Sequence, residues 1–253
     1  MNTKIYILTL TLFLLSSCSK DSFDVGADAG QSGSITRFVV YNQYMYALNP
    51  NAVKTFSLDN PDKPALVHTL PTEYGLETII IYDNTIYLGS KTALYILSID
   101  NPAAPVILSQ TERVNFPFGG CDPVIVKDTY AYSTVKIIEN ICGQPATQSA
   151  LLVYDVSNKS APDQKGLYLM DMPNGLAFYK QYLLVCDEGL DAIRIYDISN
   201  PLDLVATPFS FPITDPTDLI VKGDQVIVST KTSFQFFDVS NLEDIRPLGS
   251  IGK

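Results

Sequence analysis

Tyr196-Asp197-Ile198-Ser199-Asn200 is one of five copies of a short motif that decides the fold of this chain. The other copies are Phe56-Ser57-Leu58-Asp59-Asn60, Leu97-Ser98-Ile99-Asp100-Asn101, Tyr154-Asp155-Val156-Ser157-Asn158 and Phe237-Asp238-Val239-Ser240-Asn241. Successive asparagines of the motif are 41, 57, 42 and 41 residues apart. This period is typical of four-stranded propeller blades and is too long for leucine-rich or ankyrin repeats. The spacing therefore predicts five blades, one of which carries an insertion.

Each copy of the motif has the composition of a strand that ends in a turn. Ser and Asp stand two residues apart, on one side of the strand, and Asn follows them. Asn starts turns, and in three copies it is followed by Pro, which cannot donate to a strand ladder. A hydroxyl and a carboxylate in these places can cap the turn amides. The repeated aspartates are therefore predicted to be structural and not catalytic.

The residues between the motifs predict the remaining strands of each blade. In the second unit, alternating and continuous apolar runs predict strands over 78–82, 85–89, 93–99 and 106–111. The third of these is apolar on both faces, which suits a strand covered by neighbouring blades. The same order recurs in the other units. We therefore predict an all-β fold, a five-bladed β-propeller of four-stranded antiparallel blades, with residues 35–253 as its single domain.

Closure of the ring is left open by the pattern. Neither terminus supplies a strand to the blade of the other terminus, so we expect the first and last blades to meet by side-chain packing alone. The alternative is that a segment at 22–25 adds an edge strand to the last blade. Glycines at 26, 30 and 33 favour a flexible tether instead.

The N-terminus carries the most specific short signal in the chain. Lys4 precedes an apolar run over 5–15, which is too short to span a bilayer and ends in Leu15-Ser16-Ser17-Cys18. This ending resembles the lipobox of bacterial lipoproteins, where the signal peptide is cut before the cysteine and the cysteine is acylated. We expect a lipoprotein signal peptide over 1–17, lipidation at Cys18 and a tether over 18–34. The alternative is an ordinary secretory signal with a chance cysteine.

Composition agrees with an exported protein. The chain has 27 acidic and 17 basic residues and a formal net charge of −10. It has no basic run, so we do not expect the protein to bind nucleic acid. His68 is the single histidine, which leaves little support for Ser-His-Asp catalysis or for histidine-rich metal sites. We expect a monomer held at the bacterial cell envelope by a lipid anchor, at the outer membrane, facing the periplasm or the cell surface.

Three cysteines remain after Cys18 is assigned to lipidation. Cys121 precedes an inner strand and Cys142 lies in the insertion of the same blade, so both are predicted on one face of the propeller. In an oxidising compartment a Cys121–Cys142 disulfide would pin the insertion. Cys186 is then the odd thiol, which we expect to be buried as a small apolar residue. Pairing of Cys186 with Cys121 is the alternative.

The strands that end in Asp-Val-Ser-Asn or its variants resemble the LVIVD-repeat proteins, a group of bacterial propeller proteins. The chain also resembles lipoproteins of that group at four places: Cys121-Asp122-Pro123, Ala131-Tyr132, the inserted Cys142 and Leu184-Val185-Cys186-Asp187. The resemblance implies an exported β-propeller and carries over no catalytic residues. Lys159 and Leu242 depart from the pattern, because proline usually follows the asparagine.

The candidate ligand-binding residues are polar side chains at one mouth of the central channel. The loops that lead into the inner strands carry Glu77, Asp122, Asn174, Asp215 and Asp218, and the neighbouring loops carry Asp187 and Glu188. Oxygen ligands that converge there could bind Ca²⁺ or a small polar ligand, although capping of strand amides is the favoured interpretation and no cofactor is required. The favoured function is a non-enzymatic binding module that contacts a protein or glycan with its loop face. The alternatives are an acidic-site hydrolase or lyase, with or without Ca²⁺, and a structural component of an envelope assembly.

Overall fold

The computed structural model of the chain describes residues 34–112, 123–136 and 149–253. Within these ranges, 20 strands form five four-stranded antiparallel sheets, which are the five blades. The four strands of each blade follow one another along the chain and pair in that order. The predicted all-β fold of five four-stranded antiparallel blades is therefore confirmed.

The strands of blades 1 and 2 are β1 Phe38–Tyr41, β2 Tyr44–Asn49, β3 Ala52–Ser57, β4 Ala65–Pro71, β5 Leu76–Tyr82, β6 Thr85–Ser90, β7 Ala93–Ser98 and β8 Val106–Glu112. Those of blade 3 are β9 Val124–Lys127, β10 Tyr130–Val135, β11 Ala150–Asp155 and β12 Asp163–Leu169. Blade 4 contains β13 Pro173–Tyr179, β14 Tyr182–Asp187, β15 Ala192–Asp197 and β16 Val205–Pro212. Blade 5 contains β17 Pro216–Lys222, β18 Gln225–Thr230, β19 Ser233–Asp238 and β20 Arg246–Gly252.

The predicted strands of the second unit agree with β5 to β8 to within two residues at each end. A single 3-10 turn, η1 Glu188–Leu190, joins β14 to β15. No helix within the described ranges has the length and apolar character needed to cross a bilayer.

The blades surround an axis with their first strands innermost. β1 lies beside β5, β5 beside β9, β9 beside β13, and β13 beside β17. The turns between first and second strands and the motif turns between third and fourth strands lie at one end, the lower face. The connections between second and third strands and between successive blades lie at the other end, the upper face.

The motif forms the predicted turn in all five blades. In the Asp-x-Ser copies the carboxylate accepts from the serine amide two residues later, as in Ser199 N to Asp197 Oδ1 at 2.8 Å. In the Ser-x-Asp copies the serine hydroxyl accepts instead, as in Asp100 N to Ser98 Oγ at 3.0 Å. The asparagine side chain then accepts from the amide two residues on, as in Leu202 N to Asn200 Oδ1 at 3.2 Å. The predicted capping of turn amides is therefore confirmed, by the aspartate in the Asp-x-Ser copies and by the serine in the Ser-x-Asp copies.

The apolar core lies between blades. Blades 2 and 1 share a cluster that includes Tyr46 and Tyr95, and blades 2, 3 and 4 share a larger one around Leu152. A third cluster joins blades 4 and 5 and contains Cys186 and Val228. Because the sheet of blade 2 has a neighbour on each face, all residues of β6 and β7 are buried.

The junction between blades 5 and 1 differs from the other four. Phe38 and Val40 of β1 are each 57% exposed, and on blade 5 Phe234 is 40% and Ile251 59% exposed. The expected side-chain packing between the first and last blades is therefore not formed in this structure.

The two terminal blades are joined instead at the axis. Ser34 N and Ser34 Oγ donate to Asp218 Oδ1 at 3.1 and 3.0 Å, and Ile35 N donates to Asp218 Oδ2 at 3.2 Å. Ser34 Oγ also accepts from Leu176 N at 2.8 Å. The segment that leads into β1 is thus attached to β13 and β17, at the upper end of the axis.

Candidate functional site at the upper face

The upper face carries a charged network that links three blades, and Glu188 lies at its centre. Glu188 Oε2 accepts from Lys136 Nζ and, at 3.0 Å, from Asn174 Nδ2. Glu188 Oε1 accepts from Lys231 Nζ at 2.7 Å. The side chains of Lys136 and Glu188 are only 9% and 14% exposed, so this ion pair is shielded from solvent.

Asn174 connects the buried residues of the network. This residue of β13 is buried, and its amide also donates to the carbonyl of Pro216 at 3.0 Å. Its own carbonyl accepts from Thr134 Oγ1 at 2.6 Å, and its Oδ1 accepts from Lys136 Nζ at 3.3 Å. Asn174 therefore has partners in blades 3, 4 and 5, which fixes the relative positions of these blades at the upper face.

The outer part of the network is more exposed. Lys231 Nζ bridges Glu188 and Asp215, and its distance to Asp215 Oδ1 is 2.8 Å. The side chains of Lys231 and Asp215 are 54% and 41% exposed. The hydrogen bonds that Lys231 donates to the two carboxylates raise its pKa, and the bond to Asp215 raises it most. Lys231 and Asp215 are therefore a cation and an anion that are held in position by hydrogen bonds and remain accessible to solvent.

The network keeps Glu188 ionised. Burial by itself would raise the pKa of this carboxyl, but the hydrogen bonds from Lys136, Lys231 and Asn174 outweigh it and lower the pKa to about 2. A general acid or base works best with a pKa near the working pH. Glu188 is therefore placed for charge pairing and not for proton transfer near neutrality.

Three of the predicted channel-mouth residues, Asn174, Glu188 and Asp215, meet in this network. Asp187 neighbours it but is fully buried, where its Oδ1 accepts from Met172 N at 3.1 Å and its Oδ2 lies 3.6 Å from Arg194 Nη1. Asp187 thus joins a backbone amide to a cation inside blade 4.

Asp218 and Glu77 have other partners. Asp218 caps the amides of Ser34 and Ile35, and burial raises the pKa of its carboxyl although these hydrogen bonds oppose the shift. Glu77 Oε1 lies 3.9 Å from Lys91 Nζ, within blade 2. Asp187, Asp218 and Glu77 therefore stay outside the network, because each has a cation or a backbone amide of its own as partner.

Within the described ranges, no group of three or more histidine, cysteine or acidic side chains is arranged to hold a metal ion. Cys18, Cys121, Asp122 and Cys142 lie outside the described residues. The proposed lipidation and disulfide therefore stay predictions. Cys186 is buried between blades 4 and 5 as a free thiol, in agreement with the favoured interpretation.

Sequence reasoning missed both lysines of the network. Lys136 follows β10 and Lys231 follows β18, so each occupies the connection between the second and third strands of its blade. That shared position was the available signal, since these connections all reach the upper face. Which carboxylates they meet depends on how three blades are arranged about the axis.

No protein-family model and no curated protein matches the sequence. Solved structures with a similar fold include a protein from Lactobacillus plantarum, at 12% identity and a TM-score of 0.61, with 84% of this chain and 69% of that chain covered. A chain of a nidogen/laminin complex has 14% identity and a TM-score of 0.56, with coverages of 83% and 75%. A functionally unknown protein from Desulfotomaculum acetoxidans has 11% identity and a TM-score of 0.52, with coverages of 84% and 80%.

At such identities the likeness concerns the fold and not the function. The five sheets, their order about the axis and these structural relatives agree with one another, and the chain is a β-propeller of five four-stranded blades.

Proposed function

We propose that this protein is an exported, lipid-anchored propeller of the LVIVD-repeat group that binds a protein or glycan of the bacterial envelope through its upper face. The observation that carries the proposal is that the hydrogen-bonded charged network around Glu188 and exposed apolar side chains occur together on that face. Leu190 of η1, next to Glu188 in the chain, is 53% exposed, and Tyr74 in the connection between blades 1 and 2 is 74% exposed.

This combination is typical of recognition surfaces. Exposed aromatic and aliphatic side chains supply contact area, and polar groups that are already held in place fix the orientation of the partner. Lys231 and Asp215 are held by hydrogen bonds yet still accessible, so little side-chain entropy is lost when a partner contacts them.

A binding role accounts for the charges better than hydrolysis does. The hydrolase alternative requires a carboxyl whose pKa lies near the working pH, whereas that of Glu188 is lowered to about 2. Its partners are two lysines and an amide, and these stabilise the ionised form only.

The proposed anchor would deliver the domain to the envelope. A lipidated Cys18 and a tether over 18–34 would end at Ser34, which contacts Asp218 at the upper end of the axis. The upper face would then be the one closer to the tether. Each acyl methylene that is buried in the membrane contributes about 0.8 kcal/mol to binding, so several chains hold a protein firmly.

Photo-crosslinking in the producing bacterium tests the binding face. A photoreactive amino acid is placed at Leu190 on the upper face and, as a matched control, at Leu202 in the lower motif turn of blade 4, where the exposure is 52%. We expect adducts with an envelope component from position 190 and none from position 202. Adducts from both positions, or from neither, would contradict the proposal.

The anchor has its own test. A Cys18→Ala variant should lose its acyl chains and leave the membrane fraction, while the folded domain is unaffected. Membrane association that survives this substitution would contradict the lipoprotein part of the proposal and leave the binding face untouched.

A further inference from the structure

On the lower face, polar contacts join the motif turn of a blade to the blade before it. Between blades 1 and 2, Tyr46 Oη donates to the carbonyl of Pro102 at 2.8 Å. Between blades 3 and 4, Tyr168 Oη accepts from Leu204 N at 2.9 Å. Within the described ranges, no such hydrogen bond joins the motif turn of blade 5, residues 240–245, to blade 4. The lower end of that junction is therefore built differently.

The junction between blades 2 and 3 shows how a lysine can fill this place. Lys159 follows Asn158 in the motif turn of blade 3, and its carbonyl accepts from Ser109 Oγ at 2.8 Å. Its ammonium crosses to blade 2, where it donates to Thr85 Oγ1 at 2.7 Å and lies 3.6 Å from Asp83 Oδ2. The alkyl stem of Lys159 thus spans the space between the motif turn and the preceding blade.

At the junction between blades 4 and 5 the corresponding place is a cleft of about 260 Å³. Its walls are the turn 179–182 between β13 and β14, Phe209 of β16 and residues 240–243 of the motif turn. This volume is below the range of about 300–1,000 Å³ that is typical of sites for drug-sized ligands. The cleft therefore suits a small molecule or a single side chain.

Two differences between the repeats account for the cleft. Leu242 follows the motif asparagine in blade 5, where Lys159 follows it in blade 3. Phe209 holds the register position in β16 that Ser109 holds in β8. The side chains of Leu242 and Phe209 have no donor, so neither makes the polar contact of its counterpart, and the space that Lys159 fills in the other junction is left to solvent.

The walls of the cleft combine aromatic rings with a carboxylate. Tyr182 and Phe209 are half-buried and pack against the apolar cluster of blades 4 and 5. Glu243 is exposed, and its carboxylate forms no ion pair with any residue of the described ranges. A ring face attracts a cation, and a carboxylate accepts charge-assisted hydrogen bonds from it. Both features favour a ligand with a positive charge.

The cation already present in the wall has partners of its own. Lys180 Nζ donates to Tyr179 Oη at 2.6 Å and lies 3.0 Å from Asp224 Oδ1, in the first turn of blade 5. Its charge is therefore balanced by Asp224, and the carboxylate of Glu243 is left without a cation.

We propose that the cleft between blades 4 and 5 binds a primary alkylammonium group, in the place that the side chain of Lys159 takes between blades 2 and 3. The aliphatic stem packs against Phe209 and Leu242, and the ammonium contacts Tyr182 and Glu243. A free amine and a lysine side chain of a peptide both supply this group. The site lies on the lower face, so its test is independent of the proposed function of the upper face.

Titration of the purified full-length protein with n-pentylamine tests the proposal, with binding followed by saturation-transfer NMR at constant ionic strength. The matched ligand is 1-pentanol, which has the same stem and no charge. For a ligand of about six non-hydrogen atoms in a cleft that is open to solvent, we expect a Kd on the order of 1 mM. No saturable binding of n-pentylamine, or equal binding of 1-pentanol, would overturn the proposal.

A pair of lysine variants shows where the amine binds. Leu242→Lys supplies an ammonium from the chain itself, as Lys159 does, and should weaken n-pentylamine binding by about tenfold or more. Pro201→Lys places a lysine directly after the motif asparagine of blade 4, where Tyr168 already crosses the junction. It adds the same charge and should leave the affinity unchanged. Equal losses in both variants would mean that the amine is attracted only by the net negative charge of the protein.

Glu243→Gln removes the carboxylate at an exposed site without adding a charged group that could fill the cleft, and should weaken n-pentylamine binding severalfold. Unchanged affinity in this variant would contradict the assigned role of Glu243. Two further ligands distinguish the sources of the group. Tighter binding of 1,5-diaminopentane than of n-pentylamine would identify a free diamine, and tighter binding of Nα-acetyl-lysine amide would identify the lysine side chain of a peptide.

Discussion

Blade 3 and blade 5 have the same four-stranded plan, yet their third strands meet very different surroundings. In β11 five of six residues are buried, whereas in β19 only Phe237 is. Both strands are rich in large apolar residues and both end in Asp-x-Ser-Asn. The difference arises because blade 3 has a neighbour on each face and blade 5 has one. Burial in this fold is supplied by adjacent blades and not by the blade itself.

The largest expected difference between interior and terminal blades is in stability. Leu152→Ala removes a fully buried side chain of blade 3, and Leu248→Ala removes one that is 53% exposed on the outer strand of blade 5. We expect the first to lower the free energy of unfolding by about 2–5 kcal/mol and the second by less than about 1 kcal/mol. Urea denaturation of the two variants measures both. Equal losses would mean that blade 5 is covered as fully as blade 3.

A second contrast concerns how closely backbones approach. A Cβ at Gly175 in β13 would lie 2.7 Å from the Cα of Asp218 in β17, whereas a Cβ at Gly249 in β20 would meet nothing within 4 Å. Gly175→Ala should therefore separate blades 4 and 5 at the axis and cost about 1–3 kcal/mol, while Gly249→Ala should be nearly neutral. Thermal unfolding of both variants tests the pair. A neutral Gly175→Ala would show that the two inner strands are not in close contact.

The charged network links blades 3, 4 and 5, so the stability of the protein should depend on pH through it. The pKa of Glu188 is lowered from 4.5 to about 2, so its contribution to stability is present above pH 4.5 and is lost as the pH falls towards 2. Glu188→Gln should destabilise the protein by about 1–3 kcal/mol at neutral pH. It should also weaken the further loss of stability as the pH falls from 4.5 towards 2. Glu243→Gln, at an exposed site in a lower turn of blade 5, is the control and should leave the pH profile intact.

The smallest effect is expected at the lower face, where Asp128 N in the first turn of blade 3 donates to the hydroxyl of Tyr82, the last residue of β5, at 2.8 Å. Tyr82→Phe removes the acceptor of Asp128 N and should cost about 0.5–1.5 kcal/mol, since the amide loses its partner. Lys222 is the last residue of β17, the position in blade 5 that corresponds to Tyr82, and its side chain is exposed. Lys222→Met should therefore cost less than about 0.5 kcal/mol. Urea denaturation again provides the comparison. A larger loss for Lys222→Met than for Tyr82→Phe would reverse the expected order of the two junctions.

Much of the fold was accessible from the sequence because its signals are local. Asp197 and Ser199 stand two residues apart and bond through the same turn, so one short string of residues contains both partners. The strands of blade 2 were predicted to within two residues because period-two alternation and turn residues bound them on both sides.

The candidate site was less accessible because its contacts join distant parts of the chain. Lys136 and Glu188 are 52 residues apart, and Lys231 lies a further 43 beyond. Asp218 was predicted at the channel mouth from its place before an inner strand. The structure shows it capping Ser34, which is 184 residues away and offers donors that no local pattern reveals.

The sequence by itself determined the repeat, the number of blades, the strand order within each blade and the structural use of the motif aspartates. These follow from side-chain alternation, turn chemistry and spacing, which act over a few residues. Only the tertiary structure decided which charged side chains meet at the upper face and which junctions between blades are packed. Those outcomes depend on how five sheets are arranged about one axis, and a blade cannot encode the position of a neighbour that is 40 or more residues away.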